Sequence, residues 1–258
     1  MASSLLINDI SADLRPNAPS ITVFIWAGVC QKANMPKNIL LIAALSQEAD
    51  AFHHNQGAIV QTKPHPMRVI EQASGQIKIV TCGLGKVNAA LAVGRYADAD
   101  CVLIAMTGTC GRIAEIEGDT FWITRAIQHD YGALGAERIS HYRAGDWPMG
   151  DARDPAFTAM PDPGSGLAQA SIISGDIFLE CPSTAKALAA KLNAQLVDME
   201  VAAVAQAAEL LGLPWCAIKA VTDGADGESA GDFNANLRRA ARKAAEAMER
   251  VVELAAKW

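Results

Sequence analysis

The sequence predicts an α/β sandwich built around one central, largely parallel sheet. Three observations carry that prediction. Continuously apolar runs recur at residues 38–45, 100–106 and 215–221, as expected of strands buried on both faces. Alanine-rich helical stretches alternate with them, the pattern that lays parallel strands side by side. The 258 residues are 51% hydrophobic and only 5% aromatic, a helix-rich profile suited to one large domain.

Residues 1–36 contain Pro16, Pro19 and Pro36 and show no sustained periodicity. They are set apart as an N-terminal extension, read either as a flexible segment or as the product of a start assigned too early. Residues 37–258 are expected to form a single domain. Its first strand, Asn38 to Leu45, is followed by Ser46, an N-cap for a helix to about His53. Residues 67–73 and 76–82 read as a hairpin turning at Ser74-Gly75. Gly83-Leu84-Gly85-Lys86 breaks the pattern, and an alanine-rich helix runs to Tyr96. The strand Asp100–Met106 ends in a Thr107-Gly108-Thr109-Cys110-Gly111 turn, and Thr120 to Ile127 forms another strand.

Residues 129–168 are rich in Gly, Pro, Asp and Arg and read as long loops with one short strand. A short strand closes at Ser174, and residues 184–193 make a short helix. Met199 to Leu211 makes another helix, stopped by Gly212 and Pro214. Trp215 to Val221 is a buried strand, and Phe233 to Lys257 a long amphipathic helix. No internal repeat or low-complexity linker interrupts this order.

The net charge of -6 leaves no basic footprint for nucleic acid. No apolar run approaches the roughly 20 residues that span a bilayer. The apolar stretch Ile21–Cys30 is short and lacks the flanks of a signal peptide. Cys30, Cys82, Cys101, Cys110, Cys181 and Cys216 form no C-x-x-C pair, which predicts reduced, buried thiols in a cytosolic protein. The histidines, His53, His54 and His65 among them, lack metal-ligand spacing, so no zinc site is expected.

Three acidic residues stand out. Glu48 lies in the first turn of a helix, three residues after a buried strand. Alone, it reads first as a partner of the helix dipole. Glu200 sits with Asp198 around Met199, where the chain leaves a strand for a helix of Val and Ala. An acceptor there suits a hydroxyl-rich ligand such as ribose. Asp223 follows the strand that contains Lys219, a buried lysine that needs a carboxylate partner. Asp223-Gly224 is equally a turn dipeptide. Together the three carboxylates follow three separate strands and project to one sheet edge, where open α/β sheets place ligands. Gly83-Leu84-Gly85-Lys86 lacks the spacing of a phosphate loop and reads as tight strand–helix packing.

Six segments in order resemble the nucleoside phosphorylase superfamily, and within it the methylthioadenosine/S-adenosylhomocysteine nucleosidases. They are Ile42–Glu48, Cys82–Ala90, Thr107–Gly111, Ser174–Phe178, Val197–Glu200 and Thr222–Asp226. The resemblance spans residues 38–250. It implies a three-layer sandwich with a mixed, largely parallel sheet. It also implies hydrolysis of the N-glycosidic bond of adenine thionucleosides, releasing adenine, without a cofactor.

On that resemblance, Glu48 positions and activates water, and Asp223 protonates the purine at N7. Glu200 binds ribose hydroxyls and Met199 packs against the sugar. Phe178 stacks on adenine, the Leu179 backbone reads its edge, and Thr109 lies near the water and ribose. Asp223 has to carry a proton to donate one, and an apolar setting favours the neutral acid. A cytoplasmic homodimer is implied, with the alanine-rich helices as its interface.

The phosphorylases that resemble this chain place arginine where Met106 stands, and a phosphate site without that cation is poor. This favours water as the nucleophile. Gln128-His129-Asp130-Tyr131-Gly132 matches the family's His-Asp-x-Asp stretch only in part, which leaves the 5′-substituent open. The competing readings are a phosphate-dependent purine nucleoside phosphorylase and a non-catalytic nucleoside-binding protein.

Overall fold

The computed structural model describes residues 37–255, apart from Ser74, Glu137 and Arg138. The expected extension 1–36, Cys30 and the end of the last helix lie outside the described residues. The first strand, β1 (Asn38–Ala43), is buried along its whole length. It is followed by α1 (Ser46–Ala51), a 3₁₀ turn (Phe52–Asn55), β2 (Ala58–Gln61), β3 (Met67–Gln72), β4 (Gly75–Thr81) and α2 (Lys86–Tyr96). Then come β5 (Cys101–Arg112), β6 (Thr120–Gln128), β7 (Gly132–Leu134), β8 (Ile139–His141), β9 (Phe157–Thr158) and β10 (Ala168–Ser174). The chain ends with α3 (Pro182–Leu192), β11 (Leu196–Asp198), α4 (Val201–Leu210), β12 (Trp215–Asp223) and α5 (Ser229–Ala255).

The central sheet is mixed and runs in the order β11-β10-β6-β12-β5-β1-β4-β3-β2. Parallel pairings join β1 to β4 and β5, β5 to β12, and β10 to β6 and β11. The β2–β3–β4 edge is antiparallel, as is β12 with β6. The end of β5 also pairs with β11, so five strands close on themselves while the rest extend as an open sheet.

Alternation along β1 divides the core. Leu40 and Ile42 face a cluster with Ala89, Ala92 and Val93 of α2 and Val201–Ala205 of α4. Ile39 and Leu41 face α1 and α5, through Ala49, Ala240, Ala244, Met248 and Val252. The helices therefore cover both faces of the sheet, and small alanines let them pack closely.

Several boundaries differ from expectation. Leu45, not Ser46, is the N-cap of α1. The Thr107–Gly111 segment is not a turn but the second half of β5. Strand β2 and the start of α5 at Ser229 were not expected, and residues 129–168 hold β7, β8 and β9 rather than one strand. Helix α4 starts at Val201, with Glu200 as its N-cap. Its other end is as expected: Gly212 has φ +67°, and the Gly212 and Leu213 N–H groups return to Glu209 and Ala208. Cys82, Cys101, Cys110 and Cys216 are free and buried, whereas Cys181 is free but exposed.

Candidate active site

One cavity of about 390 Å³ opens where β1, β5, β11 and β12 end. All seven residues singled out from the sequence line it: Glu48, Thr109, Phe178, Leu179, Met199, Glu200 and Asp223.

Glu48 both caps its own helix and faces the cavity. Its Oε2 accepts the N–H groups of Ala44 (3.1 Å) and Leu45 (3.0 Å) at the start of α1. Its Oε1 accepts the N–H and the hydroxyl of Thr109, both at 2.8 Å. Four donors thus converge on one side chain that is 2% exposed. The glycines of β5 make the room. A Cβ on Gly108 would lie 2.8 Å from Glu48 Oε1 and 3.1 Å from Lys219 Nζ, and one on Gly111 would lie 2.9 Å from Asp223 Oδ1. The β5 glycines thus let the carboxylates of Glu48 and Asp223 approach the backbone closely.

Lys219 finds its carboxylate in Asp198, at 2.9 Å, with both side chains buried. Burial alone would depress the Lys219 ammonium. The carboxylates of Asp198, Glu200 and Glu48 outweigh it and hold its pKa above the ordinary lysine range. Asp198 is further occupied by the Ser174 hydroxyl (2.5 Å) and the Val201 N–H (3.1 Å). It serves as an internal anchor at the start of α4.

Glu200 accepts the Gly85 N–H at 3.0 Å through Oε1. Burial pushes its carboxyl up to about 8, with repulsion from Asp198 adding to the shift. A folded pKa above the ordinary 4.5 means that the protonated form is the favoured one in the fold. That stability is complete below pH 4.5 and is lost as pH rises through about 8. Glu200→Gln removes this loss. The thermal midpoint of the variant should gain on the parent as pH goes from 5 to 8, and an equal gap at both pH values would contradict the assignment.

Asp223 ends β12. Its Oδ1 accepts the Ala225 N–H at 3.0 Å, and its Oδ2 lies 2.8 Å from the Thr222 hydroxyl. Phe178 faces Phe233 edge-to-face, with ring centroids 6.1 Å apart. Phe233, Asn234 and Ala230 bring the first turns of α5 into the cavity wall, which sequence reasoning missed. The available signal was the Asp226-Gly227-Glu228-Ser229 run, where the Asp226 N–H meets Ser229 Oγ at 2.6 Å and opens the helix.

The lining residues include four carboxylates, Glu48, Asp198, Glu200 and Asp223, and no lysine or arginine among the described residues. Met106 is fully buried in the apolar core and does not reach the cavity. No group of described His, Cys, Asp and Glu side chains could hold a metal ion, and no described helix is long and apolar enough to cross a membrane.

The cavity lies at the strand ends of a mixed sheet, where α/β folds bind their ligands, and residues 38–253 match the model of the phosphorylase superfamily. The 5′-methylthioadenosine/S-adenosylhomocysteine nucleosidase of Mycobacterium tuberculosis (strain CDC 1551 / Oshkosh) is 30% identical, over 84% of this chain and 98% of the relative. The nucleosidase of the same name from Helicobacter pylori superposes with a TM-score of 0.75 at 19% identity, covering 85% of this chain and 99% of that one. The S. pneumoniae nucleosidase, solved with the transition-state inhibitor MT-ImmA, gives a TM-score of 0.72 at 24% identity, over 86% and 100%. The chain belongs to the phosphorylase superfamily and, within it, to the 5′-methylthioadenosine/S-adenosylhomocysteine nucleosidases.

Proposed function

We propose that this protein hydrolyses the N-glycosidic bond of 5′-modified adenosines, with 5′-methylthioadenosine and S-adenosylhomocysteine as substrates and adenine as a product. The observation that carries the reading is the Glu48 carboxylate at the cavity wall, held by four hydrogen-bond donors, in a described lining that includes no lysine or arginine. Loss of adenine leaves an oxocarbenium-like sugar, and carboxylates stabilise the positive charge that develops. The Glu48 carboxylate repels a phosphate dianion, which disfavours phosphorolysis.

In this reading Glu48 orients and activates the water, with Thr109 beside it, and Asp223 delivers a proton to purine N7. Glu200 accepts ribose hydroxyls while Met199 packs against the sugar. Phe178 stacks on adenine and the backbone of Leu179 meets its edge. Turnover of a methylthio nucleoside places the enzyme in methionine salvage, and the proposed setting is the cytoplasm.

A homodimer is part of the proposal. Val87 and Leu91 lie one turn apart on the alanine-rich α2 and are 76% and 52% exposed, an apolar stripe suited to burial against a second copy.

Adenine release from 5′-methylthioadenosine should proceed at the same rate with and without inorganic phosphate. Strict dependence on phosphate, with ribose 1-phosphate chemistry at the sugar, would overturn the hydrolytic reading.

A further inference from the structure

Gly83-Leu84-Gly85-Lys86 opens α2 with no side-chain cap of its own and with a cation in the first turn. Gly85, the N-cap of α2, has no side chain to cap with. Lys86 then puts a cation at the positive end of the helix. Both are answered from distant parts of the chain. Asp176 Oδ1 accepts the Lys86 N–H at 2.8 Å and so supplies the missing cap. Asp130 Oδ1 takes the Lys86 ammonium at 2.6 Å, with Gln128 Oε1 at 3.2 Å. The Asp176 N–H in turn donates to Asp130 Oδ2 at 3.0 Å.

These contacts form a closed ring: Lys86 backbone to Asp176, Asp176 backbone to Asp130, Asp130 to the Lys86 ammonium. Burial pushes the Asp130 carboxyl up, but Lys86 and the Asp176 N–H outweigh it and hold its pKa below the ordinary range. A side chain at position 85 would strain the backbone and crowd the ring. Gly85 has φ +93°, and a Cβ there would lie 3.0 Å from Asp176 Oδ1.

The ring is linked to both walls of the cavity through residues next to it in the chain. Gly85, next to Lys86, gives its N–H to Glu200. Asp176 is two residues from Phe178. The Gly175 N–H is bonded to the Asp198 carbonyl at 3.2 Å, and the His129 N–H to the Ser174 carbonyl at 3.0 Å. We infer that the Lys86–Asp130–Asp176 ring is a positioning network that holds the Glu200 wall and the Phe178 wall in register for the nucleoside. This rests on the proposed role of Glu200 as the ribose acceptor.

The ring acts on binding, not on the proton donor or the water, so its loss should separate KM from kcat. In Lys86→Gln and Asp130→Asn, KM for 5′-methylthioadenosine should rise about ten-fold, the worth of one charge-assisted hydrogen bond, with kcat within about three-fold. The penalty for removing the ribose 3′-hydroxyl from the substrate should shrink by a similar factor. Lys86→Arg, which can still pair with Asp130, should recover most of the lost affinity. Lys86 and Asp130 are partly exposed, at 18% and 21%, so these variants should fold, and their thermal midpoints are measured alongside. If either variant does not fold, the ring still stands or falls on the 3′-hydroxyl penalty in the other one and in Lys86→Arg.

Unchanged KM and an unchanged 3′-hydroxyl penalty in both variants would overturn the network while leaving the ribose assignment standing. If Glu200→Gln also leaves the 3′-hydroxyl penalty intact, the ribose assignment itself has failed.

Discussion

Asp223→Asn should lower kcat for adenine release by about 10²–10⁴-fold, the usual worth of a positioned general acid, while leaving the fold as stable as before. The geometry explains why the two effects separate. The Thr222 hydroxyl lies 2.8 Å from Asp223 Oδ2 and 3.2 Å from the Cys110 carbonyl oxygen. It has one proton and two acceptors for lone-pair company. When Asp223 is ionised, Thr222 donates to it. When Asp223 carries a proton on Oδ2, Thr222 accepts that proton's hydrogen bond and turns its own towards Cys110. Both charge states are therefore satisfied in the same position.

An asparagine fits the neutral pattern. Its Oδ1 accepts the Ala225 N–H, its Nδ2 donates to Thr222, and Thr222 donates to Cys110. No buried group is left without a partner, so no structural penalty arises. What is lost is the proton that adenine needs to leave. The check is kcat on two substrates, one with adenine and one with a leaving group that departs unprotonated. The second should lose far less than the first. Equal losses on both, or kcat within two-fold of the parent on adenine, would remove Asp223 from the acid role.

The part of the architecture legible in the sequence was the part built from local apolar patterning. β1 and β12 show as continuous apolar runs because both of their faces are covered. Glu48, Glu200 and Asp223 stood out because a carboxylate next to such a run needs a reason to be there. The second half of β5 was hidden because Thr107, Gly108 and Gly111 look like a turn locally. Their glycines answer to Glu48 of α1 and Asp223 of β12, so the reason for them is tertiary.

Strand β2 was hidden for a different reason. It sits at the sheet edge, where Ile59 and Val60 are exposed and no burial pattern marks it. The meaning of Lys86 was also out of local reach, since its partners Asp130 and Asp176 lie 44 and 90 residues away. Lys219 shows the halfway case. Its need for a carboxylate was readable from its strand, but its choice of Asp198 depended on where β11 ends.

Glu48→Gln is the second large effect, and here activity and stability should fall together. The carboxylate accepts on both oxygens: two N–H groups at one, an N–H and a hydroxyl at the other. A glutamine amide has one oxygen and one NH₂. If the NH₂ faces Ala44 and Leu45, two N–H donors are left opposing a donor. If it faces Thr109, the hydroxyl can rotate to accept, but the Thr109 N–H still meets a donor. The second orientation is the less costly, with one buried N–H unsatisfied at about 1–3 kcal/mol.

The catalytic loss should be larger than that. An amide cannot take a proton from water, so kcat should fall by about 10²–10⁴-fold. The two losses are separable by assaying well below the lowered thermal midpoint, where the variant is fully folded. There the deficit in adenine release should persist while binding of an unreactive 5′-modified adenosine survives within about ten-fold, because Glu200, Phe178 and Leu179 are untouched. A Glu48→Gln variant that is destabilised as described yet releases adenine at the parent rate would leave Glu48 as a helix cap alone.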